Sequence, residues 1–252
     1  MSNPLLLLHG FAGGTWSWEQ VTAALTPRKS ALLVPTLTYH ESSDGELLPE
    51  VDFAGEVERL ANLVVHSGAK PIDLVGYSMG GRLALGLAIA HPELVRSLVL
   101  VSARRGLDCA MEQACRRQVD ANWAELLERE GLDAFLDRWW TQPIFRSLSQ
   151  LAPERLAPEL AHRRSHRAAQ LAAALRKWGL GCQPAYSAEV RRLRTPVILV
   201  AGKLDEKFVG LSLDLAAELP RGRCIMVEGA GHQLLLEAPG ELARIIDEEI
   251  ES

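Results

Sequence analysis

Short apolar segments recur along this chain, and most of them are followed by a segment with helical periodicity. The strand-like segments are residues 4–8, 31–34, 71–76, 97–101, 196–201 and 224–227. The helical segments are residues 16–25, 53–66, 79–90, 211–219 and 239–250. Strands that are apolar throughout, rather than alternating in polarity, are buried on both faces. The pattern therefore predicts an α/β architecture, with a mostly parallel sheet covered by helices on both sides.

Residues 106–186 interrupt this rhythm, because they have helical periodicity and no strand-like segment. We interpret them as a helical cap inserted between two strands of a core formed by residues 1–105 and 187–252. The same region is basic: from Arg104 to Arg194 there are 16 Lys and Arg against 11 Asp and Glu, although the whole chain has a net charge of −5. A basic segment in an acidic protein favours an anionic ligand. The alternative is a solvated helical face with surplus arginine.

The bulk composition limits the possible classes of protein. With 252 residues, 48% hydrophobic and 23% charged, the chain has an ordinary globular composition. The mild net charge gives no indication of nucleic-acid binding. No apolar run approaches the roughly 20 residues that span a bilayer, and no secretory signal is visible, so we expect a cytoplasmic protein. The four cysteines form no C-x-x-C pair, which argues against zinc or a disulfide framework. We expect them to be buried as small apolar side chains.

A G-x-S-x-G motif, Gly76 to Gly80, lies between a predicted strand and a predicted helix. In this context the sharp turn projects the Ser78 hydroxyl over the carboxyl edge of the sheet, at the start of the next helix. Free amides at a helix N-terminus favour negative charge there. We therefore predict that Ser78 is catalytic; the alternative is a chance serine in a glycine-rich turn.

Two further residues follow predicted strands at the same edge. Of the seven histidines, His232 alone lies in a loop directly after the last strand, and we predict that it is the base. Asp205 follows the strand at residues 196–201 and would fix the histidine tautomer, with Glu206 as the adjacent alternative. We interpret His9 as a structural residue that shapes the oxyanion site. Two backbone amides, those of Phe11 and Met79, are predicted to form that site.

With these motifs in place, the chain resembles the α/β-hydrolase superfamily over nearly its whole length, including the chain order Ser, Asp, His. More narrowly it resembles the MenH family, the 2-succinyl-6-hydroxy-2,4-cyclohexadiene-1-carboxylate (SHCHC) synthases of menaquinone and phylloquinone biosynthesis. Five stretches carry this narrower resemblance: residues 76–82 (GYSMGGR), 139–145 (WWTQPIF), 163–175, 181–184 (GCQP) and 205–208 (DEKF).

The resemblance implies a carbon–oxygen lyase rather than a hydrolase. The family's enzyme removes a proton next to the succinyl carbonyl of 2-succinyl-5-enolpyruvyl-6-hydroxy-3-cyclohexene-1-carboxylate, and pyruvate is eliminated. The resemblance implies no cofactor and a small substrate with several carboxylates. From the charge, the apolar runs and the cysteine spacing we expect no nucleic-acid partner, no membrane partner and no metal, and we expect a monomer or weak homo-oligomer. The substrate-binding residues that the resemblance implies are Tyr77, Arg82, Arg116, Trp139, Phe145 and Arg163. Arg164 is an adjacent alternative to Arg163.

The sequence departs from the family pattern in two places. Only eight residues precede His9, so we expect the sheet to be shortened at its N-terminal edge. Residues 35–40 (PTLTYH) stand where many relatives have Asp-x-Pro-Gly-x-Gly, so we expect one wall of the pocket to differ. A carboxylesterase or a carbon–carbon bond hydrolase with the same triad is the alternative function. A non-catalytic binding protein is disfavoured, since such relatives usually lack a triad residue.

Overall fold

A six-stranded sheet forms the centre of the molecule. The computed structural model describes residues 3–27, 31–40, 50–68 and 70–250. The strands pair in the order β2-β1-β3-β4-β5-β6, and every pairing is parallel. Their bounds are β1 Leu5–Leu8, β2 Leu32–Leu33, β3 Ile72–Tyr77, β4 Val95–Val101, β5 Val197–Gly202 and β6 Gly222–Val227. The predicted parallel sheet is confirmed. Among the described residues no strand lies beyond β2, as expected for a sheet shortened at that edge.

Helices connect the strands and cover both faces. Their bounds are α1 Glu19–Ala24, α2 Phe53–His66, α3 Met79–Ala90, α4 Ala110–Trp139, α5 Pro153–Arg163, α6 Ala168–Trp178, α7 Ser187–Val190, α8 Glu206–Glu218, α9 Leu234–Glu237 and α10 Pro239–Ile250. Three of the predicted helices, α2, α3 and α10, have the expected bounds. Helix α8 begins five residues before the predicted start at residue 211. The Asp205 side chain explains this, because it accepts a hydrogen bond from the Phe208 amide (3.2 Å) and caps the helix.

The core lies on both faces of the sheet, which explains why the strands are apolar throughout. Successive side chains of a strand point to opposite faces. Accordingly, Leu6 and Leu8 pack with the layer that contains α2, α3 and α8, whereas Leu5 and Leu7 pack with the layer that contains α1 and α10. All four leucines are fully buried. Burying one leucine side chain contributes roughly 1.5–3 kcal/mol, so the two layers fix the sheet firmly.

The helical insertion between β4 and β5 is confirmed, and it is built from α4, α5 and α6. Helix α4 is broken at Gly131, whose φ of 84° is a left-handed backbone value that favours glycine. The two parts of α4 pack on α6 through buried apolar residues such as Leu127, Phe135 and Leu171. The division of the chain into a core and a cap at residues 105/106 and 186/187 stays a prediction.

The four cysteines are not buried as expected. Cys109, Cys115 and Cys182 are exposed, and Cys224 is only partly buried, so that prediction is wrong. Their positions account for it, since the first two lie at or near the start of α4 and the third in the loop after α6. None of the described helices has the length and apolar character needed to cross a lipid bilayer.

Candidate active site

Ser78 occupies a strained turn between β3 and α3. Its backbone lies at φ 50° and ψ −109°, a conformation that is costly for a residue with a Cβ atom. Glycines make the turn possible. A Cβ on Gly80 would lie 2.3 Å from the His9 carbonyl oxygen, and one on Gly76 would lie 2.6 Å from the Gly80 carbonyl oxygen. The glycines of the G-x-S-x-G motif are therefore required, because the end of β1, the end of β3 and the start of α3 approach one another closely there.

The structure brings Ser78, His232 and Asp205 into one hydrogen-bonded chain. The His232 Nδ1 lies 2.8 Å from Asp205 Oδ2, and His232 Nε2 lies 3.3 Å from Ser78 Oγ. An ionised carboxylate can only accept, so Nδ1 carries the proton and Nε2 is free to accept from the serine hydroxyl. Asp205 and His232 are both buried, at 5% and 3% exposure. This arrangement can activate the serine as a nucleophile or as a base.

Packing fixes the His232 ring in this orientation. The ring centroid lies 4.7 Å from that of Phe208, 5.7 Å from Tyr77 and 5.8 Å from Phe145. The Ser102 hydroxyl donates to the His232 carbonyl oxygen at 3.2 Å and so anchors the loop that carries the ring. Because aromatic side chains surround His232, its tautomer is set by Asp205 and Ser78 rather than by water.

A cavity of about 170 Å³ lies between the sheet edge and the inserted helices. Its lining includes every residue predicted for the site except Asp205, which lies behind His232. These lining residues are Phe11, Tyr77, Ser78, Met79, Arg82, Arg116, Trp139, Phe145, Arg163 and His232. Within the described part of the chain, the Phe11 and Met79 amides have no hydrogen-bond acceptor. They are therefore available to an oxygen atom that gains negative charge beside Ser78.

Two predicted arginines lie near each other in the lining of this cavity. Arg82 is 9% exposed, and its Nη1 donates to the Trp178 carbonyl oxygen (2.8 Å) and to Gln183 Oε1 (3.2 Å). Burial, together with the nearby Arg116 charge, lowers the pKa of Arg82 to about 10. The Arg116 Nε donates to Asp120 Oδ1 at 2.9 Å. Both guanidinium groups keep N–H groups beyond those that these contacts use.

Arg163 lies at the cavity, whereas Arg164 lies outside its lining. Arg163 is 3% exposed, and its guanidinium donates to Glu159 and to the carbonyl oxygens of Phe11 (3.3 Å) and Ala12 (2.9 Å). Arg164 instead pairs with Asp133 at 2.9 Å on the surface. Most N–H groups of Arg163 are thus used within the protein, so it holds the loop of Phe11 more than it faces a ligand.

Sequence reasoning missed two cations that line the cavity, Arg104 and Lys207. The Arg104 Nε is buried and has no hydrogen-bond partner among the described residues. Among the described residues Lys207 makes no ion pair within 4 Å. Burial lowers the pKa of Lys207, and the Arg116 and Arg104 charges add to the effect. Both residues follow the carboxyl ends of strands, β4 and β5. Their positions after these strands could have predicted that they lie at the site, because parallel strands bring the residues that follow them to one edge of the sheet.

Comparison with known proteins places these features in context. A family model described as the alpha/beta hydrolase fold matches residues 3–239. An SHCHC synthase of Citrobacter koseri is 32% identical, covering 93% of this chain and 88% of that protein, and one of Enterobacter sp. is 30% identical, covering 95% and 88%. The solved structure of MenH from S. aureus has a TM-score of 0.91 at 27% identity, covering 99% of this chain and 95% of that one.

Proposed function

The chain belongs to the α/β-hydrolase fold family and is related to SHCHC synthases, and we propose that it is itself such a synthase. It would convert 2-succinyl-5-enolpyruvyl-6-hydroxy-3-cyclohexene-1-carboxylate into SHCHC and pyruvate. Two observations support the proposal. Relatives with that name align over nine tenths of the chain, and the cavity beside the triad is rich in cations.

The cations that line the cavity favour an anionic substrate. Arg82, Arg104, Arg116 and Lys207 all line it, and Asp120 is the carboxylate that lies among them. Asp120 is already paired with Arg116. Burial and the Arg116 charge lower the pKa of Arg104, just as they lower that of Arg82. Repulsion among these cations is relieved when a ligand brings negative charge, and arginine suits paired contacts with carboxylates.

The triad would act as a base in this reaction. Asp205 holds the proton of His232 on Nδ1, so Nε2 accepts the Ser78 proton as the serine oxygen removes the proton at C2 of the ring. That C–H bond lies next to the succinyl carbonyl, whose oxygen gains negative charge as the proton leaves. The free amides of Phe11 and Met79 would stabilise this enolate.

Elimination completes the reaction without an acyl-enzyme. The electron pair from C2 forms the C2=C3 bond, the former C3=C4 double bond moves to C4=C5, and the C5–O bond breaks. The enolpyruvyl group leaves with that oxygen and, after protonation, becomes pyruvate. The ring keeps its succinyl and carboxylate groups and becomes a cyclohexadiene. No water is consumed, which distinguishes this use of a triad from hydrolysis.

The proposal gives the residues that line the cavity three roles. Arg82, Arg104, Arg116 and Lys207 would hold carboxylates of the substrate, while Tyr77, Trp139 and Phe145 would form the walls against its ring. Arg163 would act mainly through the loop of Phe11, because that loop takes two of its hydrogen bonds. Of these four cations, Arg116 alone lies on the inserted helices, and the other three lie on or near α3, β4 and α8.

Release of pyruvate tests the proposal. The purified protein is given the enolpyruvyl substrate, and pyruvate is measured with lactate dehydrogenase while a short-chain nitrophenyl ester is tested in parallel. We expect rapid pyruvate release and feeble ester cleavage. Rapid ester cleavage without pyruvate would refute the synthase and favour the alternative, a carboxylesterase or carbon–carbon bond hydrolase.

A further inference from the structure

His40 is a buried histidine that contacts the loop of Phe11 from outside the cavity. It lies in the segment where the sequence departs from the family pattern, and it is 3% exposed. Its Nε2 accepts a hydrogen bond from the Ala12 amide at 3.0 Å. The 3-10 turn that carries it, Thr38–His40, is held by hydrogen bonds from the Thr38 amide and hydroxyl to Glu56 (3.2 and 2.6 Å). The turn that carries His40 is therefore held in place by Glu56, which fixes the position of the histidine beside the loop.

The loop from Gly10 to Gly13 is strained and held at nearly every peptide unit. Ala12 has a φ of 53°, a left-handed value that is unfavourable for alanine. The carbonyl oxygen of Gly10 accepts from His9 Nδ1 (2.9 Å) and from the Gly13 amide (3.1 Å). Such a conformation persists only where surrounding contacts determine it, and His40 holds the one amide between Phe11 and Gly13.

The contacts on the loop fix both atoms of a single peptide group. The Phe11–Ala12 unit presents its carbonyl oxygen to Arg163 and its N–H to His40. The preceding unit, Gly10–Phe11, presents its carbonyl oxygen to His9 and carries the Phe11 N–H that has no acceptor among the described residues. The two units share the Cα atom of Phe11, so holding the Phe11–Ala12 unit restricts the orientations open to the preceding unit and to its N–H.

The chemistry of His40 requires the neutral imidazole. Because Nε2 accepts an amide proton, it carries no proton itself, and the ring proton is on Nδ1. The Nδ1 atom is buried and has no hydrogen-bond partner among the described residues. Burial keeps the pKa of His40 well below its ordinary value, and the nearby His9, His166 and Arg163 add to this effect. The ring is thus held as an acceptor for one backbone amide.

We propose that His40 is a positioning residue, which orients the oxyanion loop by accepting the Ala12 amide and so sets the direction of the Phe11 N–H. It does not touch the substrate. This inference rests on the proposed catalytic role of the Phe11 N–H, but it does not depend on which substrate the protein takes. It also gives a function to the segment that replaces the glycine-rich family motif.

The test uses a reagent that needs the serine, its base and the oxyanion site, but not the cations proposed to bind the substrate. Diisopropyl fluorophosphate forms a bond from the Ser78 oxygen to phosphorus, fluoride leaves, and the serine proton passes to His232. The rate constant of this reaction is compared for the whole protein and three variants. His40→Leu removes the acceptor, His40→Gln places an amide oxygen near the position of Nε2, and His162→Leu is an exposed histidine control. Thermal unfolding of each is measured alongside.

We expect His40→Leu to react about 10-fold or more slowly, because misplacing one oxyanion donor costs that much or more. The Gln variant should retain a rate close to that of the unaltered protein, and the control should be unaffected. If His40→Leu does not fold, His40→Asn replaces it, since its shorter side chain does not reach the Nε2 position. An unchanged rate in the Leu or Asn variant, or an equal loss in the Gln variant, would overturn the proposal. A lack of pyruvate release with these rate differences intact would refute the synthase alone.

Discussion

At the scale of single residues, Ser78 is where the proposed chemistry begins. Its Oγ lies 3.3 Å from His232 Nε2, in the same cavity as the free amides of Phe11 and Met79. Replacing Ser78 with alanine should lower turnover by on the order of 10³-fold or more, since it removes a group needed in the transition state. Substrate affinity should change little, because the proposal assigns ground-state binding to the cations of the cavity rather than to the serine. Steady-state pyruvate release and substrate titration measure the two effects.

The matched control for Ser78 is Ser149→Ala, an exposed serine whose hydroxyl donates to the Arg146 carbonyl oxygen. It should behave like the unaltered protein in both assays. Near-normal turnover in Ser78→Ala would remove the serine from the mechanism.

Arg104 provides a test of the cation-rich lining of the cavity. Its buried Nε lacks a partner among the described residues, so a substrate carboxylate would gain a charge-assisted hydrogen bond there. Arg104→Ala should raise KM for the anionic substrate by about 10-fold, equivalent to about 1.4 kcal/mol, with little effect on a neutral ester. Arg164→Ala, which removes a surface arginine paired with Asp133, is the control. Equal losses with the anionic and neutral compounds would indicate a folding role instead.

The candidate site was only partly predictable from sequence. Residues placed by the topology of the sheet could be predicted, whereas contacts that depend on helix docking could not. Ser78, Asp205 and His232 follow strands, so the topology of a parallel sheet brings them together whatever the helices do. Arg104 and Lys207 lie at the same edge and could have been found by the same rule. The anchoring of Arg163 to the carbonyl oxygens of Phe11 and Ala12 could not, because it depends on how the inserted helices dock.

At the scale of elements, the turn between β3 and α3 tolerates no added volume. A Cβ on Gly80 would meet backbone atoms of His9 and Leu8 at 2.3–2.4 Å, and backbone cannot move aside easily. Gly80→Ala should therefore destabilise the protein by about 2–3 kcal/mol and lower turnover. The midpoint of denaturant unfolding measures the loss of stability.

Gly210 is the matched control for Gly80, because it lies within α8 and nothing is within 4 Å of an added Cβ. Gly210→Ala should stabilise the protein by about 0.5–1 kcal/mol, since alanine favours helix more than glycine does. Equal effects of the two substitutions would contradict the structural account of the turn.

The elements themselves were predicted more completely than the site. Helices α2, α3 and α10 have strong periodicity and clear ends, so their bounds follow from the sequence. Helix α8 starts earlier than its apolar periodicity indicated, because the capping contact from Asp205 outweighs the polar residues of its first turn. The break in α4 at Gly131 was not predicted, since a glycine within a helical pattern does not by itself show a left-handed backbone.

At the scale of the whole molecule, buried histidines link folding to pH. Burial lowers the pKa of His9 to about 3 and that of His166 to about 4, and it lowers that of His40 as well. An unfolded chain binds protons at these residues near pH 6.5, whereas the folded protein does not. Stability is therefore fully present above about pH 6.5 and is lost progressively as the pH falls toward 4.

Denaturant unfolding at a series of pH values measures this effect. We expect the free energy of unfolding to fall by roughly 1.4 kcal/mol per pH unit for each fully coupled buried histidine below about pH 6. The His40→Gln variant should show a smaller slope, because it has one such group fewer. A free energy of unfolding that is constant from pH 6.5 to 4.5 would show that these histidines are accessible to protons in the folded protein.

The identity of the ring product tests the central claim most directly. Pyruvate could also arise by hydrolysis of the enolpyruvyl group, so its release alone does not distinguish a lyase from a hydrolase. We propose mass spectrometry of the ring compound that forms together with pyruvate. The account predicts the cyclohexadiene, which has lost the elements of pyruvate and gained nothing. A ring product that carries the added elements of water would contradict it and would show that the triad hydrolyses this substrate.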